Sequence, residues 1–151
     1  MSKDIRIEIF KKDDRDEVSR LLSEAKLPVL ELTFDKLKNF LVARQEDGSV
    51  VGAIGVERHG DAGLLRSLVV HPSHRGKGLG KRLTRQLESF AGRKGIQTLY
   101  LLTTTAAEFF PKLGYQSIER DHVPGPVART EEFKNICPVS AVCLFKNLRS
   151  W

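Results

Sequence analysis

The sequence predicts an α/β domain, on three observations. An apolar run, Leu64–Val70, leads through a glycine-rich stretch into a segment whose Leu79, Leu83, Leu87 and Phe90 recur at helical spacing. A second buried run, Thr98–Thr103, follows that helix. Upstream, two further apolar runs flank Asp47-Gly48, a strong hairpin signal.

Taken in order, Ile5–Ile9 alternates apolar and polar residues and reads as the first strand. Asp13 and Asp14 then cap a helix with Val18, Leu21, Leu22 and Ala25 on one face, ended by Leu27-Pro28. Thr33 caps a short second helix bearing Phe34 and Leu37. Phe40–Gln45 and Val50–His59 are strands about the Glu46–Ser49 turn, and His59–Gly63 turns into the fourth strand. This series gives an antiparallel meander. After the fifth strand, Thr105-Ala106-Ala107-Glu108 matches a capping box, so a helix is expected from Thr105, shortened or distorted by Pro111. Tyr115–Arg120 and Ser140–Lys146 read as the last strands. Between them, Pro124-Gly125-Pro126 breaks the chain ahead of a helical turn near Thr130–Asn135.

A chain of 151 residues, 40% hydrophobic, is expected to form a single domain over residues 1–151. It carries no membrane-length apolar run and no signal-peptide pattern, so the expected setting is the cytoplasm, without a membrane partner. The net charge is +6, densest between His71 and Lys94. The few aromatics sit at core-like positions and no nucleic-acid motif appears, so a polyanionic ligand accounts for the charge better than nucleic acid does. Two cysteines, Cys137 and Cys143, read as thiols and make an incomplete metal set; no metal is expected.

The segment Arg75-Gly76-Lys77-Gly78-Leu79-Gly80 carries the chemistry. Its glycines let the backbone approach a ligand and turn successive N–H groups into one concavity. The helix that opens there adds unsatisfied donors and a positive dipole end, a combination suited to a pyrophosphate.

The series strand, His-Pro, basic glycine loop, amphipathic helix, strand, short helix and Leu113-Gly114-Tyr115 resembles the GNAT superfamily of acetyl-CoA-dependent N-acetyltransferases. The resemblance implies a mixed, mostly antiparallel sheet flanked by helices and splayed between the fourth and fifth strands, with acetyl-CoA as cosubstrate. It implies a bed for pantetheine at Leu68, Val69 and Val70, with Thr103 on the strand opposite. The Val69 backbone N–H becomes the oxyanion donor, and the phosphate nest is Arg75, Gly76, Lys77, Gly78, Leu79, Gly80 and Lys81. The connector at Val29, Leu30 and Glu31 either borders the acceptor or packs the core edge. Such transfer needs a deprotonated amine, a donor for the oxyanion and a proton for the leaving thiolate.

The sequence departs from the family where acid and base are expected. Phe110 takes the place of the usual tyrosine acid and Thr103 that of the usual asparagine. Tyr100 and Tyr115 are the alternative phenols, or core residues. The common glutamate base is missing, with Arg66 and Ser67 nearby and no base assigned. Arg66 either pairs with Glu57 or holds an acceptor carboxylate. Leu64–Pro72, Leu101–Thr105, Glu108–Phe110 and Thr130–Cys143 more narrowly resemble bacterial GNATs of arsenic resistance; the core also resembles short glutamate N-acetyltransferases. Both imply a small amino-acid-like amine acceptor, the first with a conceivable arsenic contact at the two cysteines. A homodimer, a non-catalytic acetyl-CoA-binding module and a nucleic-acid-binding domain are the other assemblies and classes to be tested.

Overall fold

The computed structural model describes residues 5–29, 32–104, 106–130, 133 and 141–148. Its strands are β1 (Arg6–Ile9), β2 (Phe40–Arg44), β3 (Val50–His59), β4 (Ala62–Val70), β5 (Thr98–Thr103), β6 (Gln116–Ser117) and β7 (Val142–Asn147). Its helices are α1 (Arg15–Glu24), α2 (Phe34–Leu37), α3 (Leu79–Arg93) and α4 (Gly125–Ala128). The seven strands make one sheet in the order β1-β2-β3-β4-β5-β7-β6. Pairing is antiparallel for β1 with β2, β2 with β3, β5 with β7 and β6 with β7. β4 and β5 pair in parallel, through Ala62 with Thr98, Gly63 with Leu99 and Leu64 with Tyr100. Both strands continue past this ladder, β4 to Val70 and β5 to Thr103. The expected mixed sheet and its interrupted parallel pair are therefore present. No helix among the described residues is long and apolar enough to cross a membrane.

Two compact units make up the chain, one of residues 1–56 with 67–89, the other of 57–66 with 90–151. In the first unit, Val18, Leu21 and Leu22 of α1 and Leu37 of α2 bury against Phe40, Val42, Val50, Ala53 and Val69 of the sheet. The α3 residues Leu79, Leu83 and Leu87 are buried as their spacing predicts. Thr33 caps α2, accepting from Lys36 N at 3.2 Å. Asp14 acts differently from the expected helix cap. Its Oδ2 accepts from Lys11 N at 2.9 Å, closing a 3₁₀ turn over Lys12–Asp14 ahead of α1. The same carboxylate takes both terminal nitrogens of Arg44, at 3.1 and 2.9 Å, while Arg44 Nε donates to Glu8 Oε1 at 2.9 Å. Bidentate pairing of this kind is geometrically specific, and it raises the Arg44 pKa further, Asp14 being the largest cause. At the far end of α1, Leu27 N bonds Leu22 O and Lys26 N bonds Ser23 O, a Schellman closure with Lys26 at φ 61° where glycine is usual.

The second unit buries Ala62, Leu64, Leu102, Val123, Val127, Phe133, Ala141 and Cys143 together. Three expectations fail here. No α-helix grows from the Thr105 region: Thr105 lies outside the described residues, 107–109 turn, and only a 3₁₀ segment, Phe110–Leu113, forms around Pro111. Proline removes an N–H and clashes with the preceding turn, so the capping signal cannot propagate. The strand expected over Tyr115–Arg120 shrinks to Gln116–Ser117. Pro124-Gly125-Pro126 starts α4 rather than breaking the chain, because proline is tolerated in a helix's first turn. Most of the turn expected near Thr130–Asn135 lies outside the described residues.

Candidate functional site

The exit of β4 is shaped by one backbone anomaly. Ser67 sits at φ 61° inside the strand, a left-handed conformation that costs an L-residue about 1–2 kcal/mol. Such a residue breaks the pleat and re-aims the chain after it. Beyond it, Val69 buries its side chain among Val18, Leu21 and Leu22, which anchors the Leu68–Val70 main chain, while Leu68 and Val70 stay half-buried. Strain of this kind gathers at functional sites. No sequence signal marks it, since serine has no preference for that region.

Past Val70 the chain makes a 3₁₀ turn over Pro72–His74, with His71 Nδ1 accepting from Ser73 N at 3.1 Å. Arg75 then folds back, its Nε donating to Val70 O at 3.1 Å. Its terminal nitrogens have no partner among the described residues. Gly76 and Gly78 have φ 77° and 82°, and a Cβ added at either would meet nothing within 4 Å. The glycines are thus needed for backbone conformation, and the space in front of them is open to a ligand. Arg82 N bonds Gly78 O, so α3 starts at Leu79 and the amides of its first turn lack intrahelical acceptors. Thr84 Oγ1 donates to Gly80 O at 2.9 Å, securing that turn from inside. Lys77 and Lys81 are exposed. Open amides, a helix start and three cations within seven residues fit an anion of pyrophosphate type.

Of the remaining sequence-predicted residues, Val29 is half-buried and packs against the first unit's core, and the others fall in the second unit or outside the described residues. Thr103 accepts from Ala106 N through Oγ1 at 2.9 Å. Phe110 is buried, edge-on to Tyr115 at 5.3 Å and to Phe109 at 5.0 Å. Tyr115 is buried too, and Lys146, which donates to Leu113 O at 2.8 Å, lies 5.5 Å over its ring. Tyr100 stacks on Phe145 at 6.3 Å, and burial pushes its phenol pKa up. Arg66 is buried and donates through Nη1 to Glu57 Oε2 at 2.6 Å. β3 ends at His59 and β4 begins at Ala62, so two residues turn the hairpin and the ion pair lies on one face. Burial pushes the Cys143 thiol up to about 11, which keeps it protonated and inert at neutral pH. Leu30, Glu31 and Cys137 lie outside the described residues. Among the described residues no group of three His, Cys, Asp or Glu side chains is placed to hold a metal ion.

Comparison with known proteins agrees with this geometry. A family model described as an acetyltransferase (GNAT) domain matches residues 36–117. An uncharacterised N-acetyltransferase of Chlorobaculum tepidum is 28% identical over 115 residues, 76% of this chain and 71% of the relative. An amino-acid acetyltransferase of Pseudomonas fluorescens is 33% identical over 89 residues, 56% of this chain but only 20% of the longer relative. Among solved structures, N-acetylglutamate synthase from Neisseria gonorrhoeae, complexed with coenzyme A and N-acetyl-glutamate, superposes with a TM-score of 0.83 at 21% identity. That match covers 97% of this chain and 35% of that one. A Mycobacterium tuberculosis protein in complex with CoA matches at a TM-score of 0.81 and 22% identity, covering 95% and 99%. At such identities the superpositions speak for the fold.

Proposed function

The chain belongs to the GNAT acetyltransferase family, and from that premise we propose that it acetylates the primary amine of a small amino acid, glutamate foremost, with acetyl-CoA as donor. The observation that carries the donor is the Arg75–Lys81 segment, whose two left-handed glycines face open space at the start of α3. The acceptor class rests on the amino-acid acetyltransferases and the N-acetylglutamate synthase, each of which this chain matches over only part of its length. The arsenic-resistance likeness gains no support from those relatives, and much of its closing segment lies outside the described residues.

When bound, acetyl-CoA supplies an activated acyl group as a thioester. In this reading the Arg75–Lys81 amides and cations hold the pyrophosphate, and the Leu68–Val70 main chain runs beside the pantetheine. Val69 N–H would be the donor to the negative charge developing on the thioester carbonyl. The pinned Val69 side chain gives that amide a fixed position, which is the requirement for electrostatic stabilisation without reorganisation. Phe110 cannot supply a proton, which leaves water or the phenols of Tyr100 and Tyr115 to protonate the thiolate. Arg66, held by Glu57, orders the β3–β4 hairpin.

A panel of free amino acids and simple amines, assayed for CoA release from acetyl-CoA, tests the proposal. Release that rises with an amino acid, with glutamate among the best acceptors, is expected. Release confined to non-amino-acid amines would remove the acceptor assignment while keeping the donor.

A further inference from the structure

Strand β1 lies at one end of the sheet and pairs with β2 alone among the described residues. Phe10 N bonds Phe40 O at 2.9 Å, in step with the register of Glu8 with Val42 and Arg6 with Arg44. In an antiparallel ladder, alternate residues exchange their backbone bonds with the neighbouring strand. Arg6, Glu8 and Phe10 therefore bond β2, and the N–H and C=O groups of Ile7 and Ile9 point out of the sheet's edge. Ile5 O, on the same outer side, accepts from Arg82 Nη2 at 3.0 Å. Ile7 and Ile9 have no such partner among the described residues. An open row of this kind is a template for another strand. The opposite edge is β6, two residues long, which offers no comparable row.

The side chains select what docks there. By the two-residue period of a strand, Ile5, Ile7 and Ile9 take one face and Arg6 and Glu8 the other. Ile9 is 56% exposed, more than any other large apolar residue among those described. Arg6, its side chain 58% exposed, donates through Nε to Glu8 Oε2 at 3.0 Å, which leaves its terminal nitrogens open. The other Glu8 oxygen takes Arg44.

Outward from Ile7, the stretch Ile5-Arg6-Ile7-Glu8-Ile9 is the same in both directions except that its two charges are opposite. Two copies laid antiparallel about a two-fold axis at Ile7 set Arg6 against the partner's Glu8 at both ends. These are non-hydrogen-bonded positions, where facing side chains come closest. The same register sets Ile9 against the partner's Ile5 and joins the outward backbone groups of Ile7 across the axis. Moving the axis by one residue sets Glu8 against the partner's Glu8, or Arg6 against the partner's Arg6. Like charges directly opposite repel. The charges thus choose the register as well as the partner.

We propose that β1 pairs with β1 of a second copy of this chain, antiparallel and centred on Ile7, to form a two-fold dimer with one continuous sheet. Such pairing is isologous, so it consumes both edges and stops at two. The interface is one strand wide, so the dimer is a weak one whose population follows concentration. It stands apart from the donor and acceptor assignments above and does not depend on them.

The test is sedimentation equilibrium from about 30 µM to about 1 mM, a range suited to a weak interface, where monomer should pass to dimer. In the same samples, amide exchange followed by NMR should slow at Ile7 and Ile9 as the dimer fraction rises. Arg6→Glu sets a carboxylate against the partner's Glu8 and should weaken association about tenfold or more. Ile9→Pro removes an outward N–H while sparing the β1–β2 ladder, and should weaken association likewise. Both side chains are exposed, so both variants should keep the wild-type circular dichroism. A monomer throughout the range would overturn the proposal. So would a dimer whose Ile7 and Ile9 amides exchange as fast as the monomer's, or association undiminished in either folded variant.

Discussion

Arg66 Nη1 and Glu57 Oε2 lie 2.6 Å apart, with the arginine side chain 0% and the glutamate 10% exposed. Breaking a buried pair by removing one partner strands the other charge, at a cost of about 3–5 kcal/mol. Glu57→Gln should therefore lower the urea midpoint by that equivalent. Arg66→Lys, which keeps the charge and loses the fork, should lower stability while leaving the acceptor KM unchanged. A raised acceptor KM at wild-type stability would instead make Arg66 the acceptor's carboxylate anchor.

Gly78→Glu places a carboxylate in the open space before α3. The left-handed backbone there costs the new residue about 1 kcal/mol, which the fold should survive. Loss of charge-assisted bonds should raise the acetyl-CoA KM roughly ten- to a hundredfold. Unchanged acetyl-CoA binding would show that the phosphate lies elsewhere.

Phe110→Leu removes an aromatic ring packed on Tyr115 and Phe109. A loss of about 1–2 kcal/mol in stability is expected, with turnover retained. Abolished turnover in a folded variant would give the ring a catalytic part. Phe110→Tyr offers a phenol and should speed the reaction where thiolate departure limits it.

Glu8 accepts from Arg44 and Arg6, and these bonds, that of Arg44 foremost, hold its carboxyl below the ordinary 4.5. A depressed carboxyl contributes stability that is fully present above the unfolded value and is lost as pH falls through the folded one. Stability should thus decline below pH 4.5, and Glu8→Gln should flatten that decline. Equal acid profiles for the two proteins would contradict the assignment.

Much of the first unit was legible because its signals are local and unopposed. Leu79, Leu83 and Leu87 announce α3, and Asp47-Gly48 its hairpin. The glycine loop was legible for the same reason, since left-handed backbone has few other residues to use. The second unit was less so. Thr105 and Glu108 promised a helix that Pro111 prevents, and β7 enters between β5 and β6 by tertiary pairing that no local pattern records. Ser67 was invisible because serine carries no preference for the left-handed backbone it adopts.

The most direct measurement follows isotopically labelled acetyl from acetyl-CoA into free L-glutamate, with the product identified by mass spectrometry. The account predicts labelled N-acetylated amino acid, formed in step with CoA release and suppressed in Gly78→Glu. Labelled product from no amino acid at all, by a folded protein that binds acetyl-CoA, would contradict it.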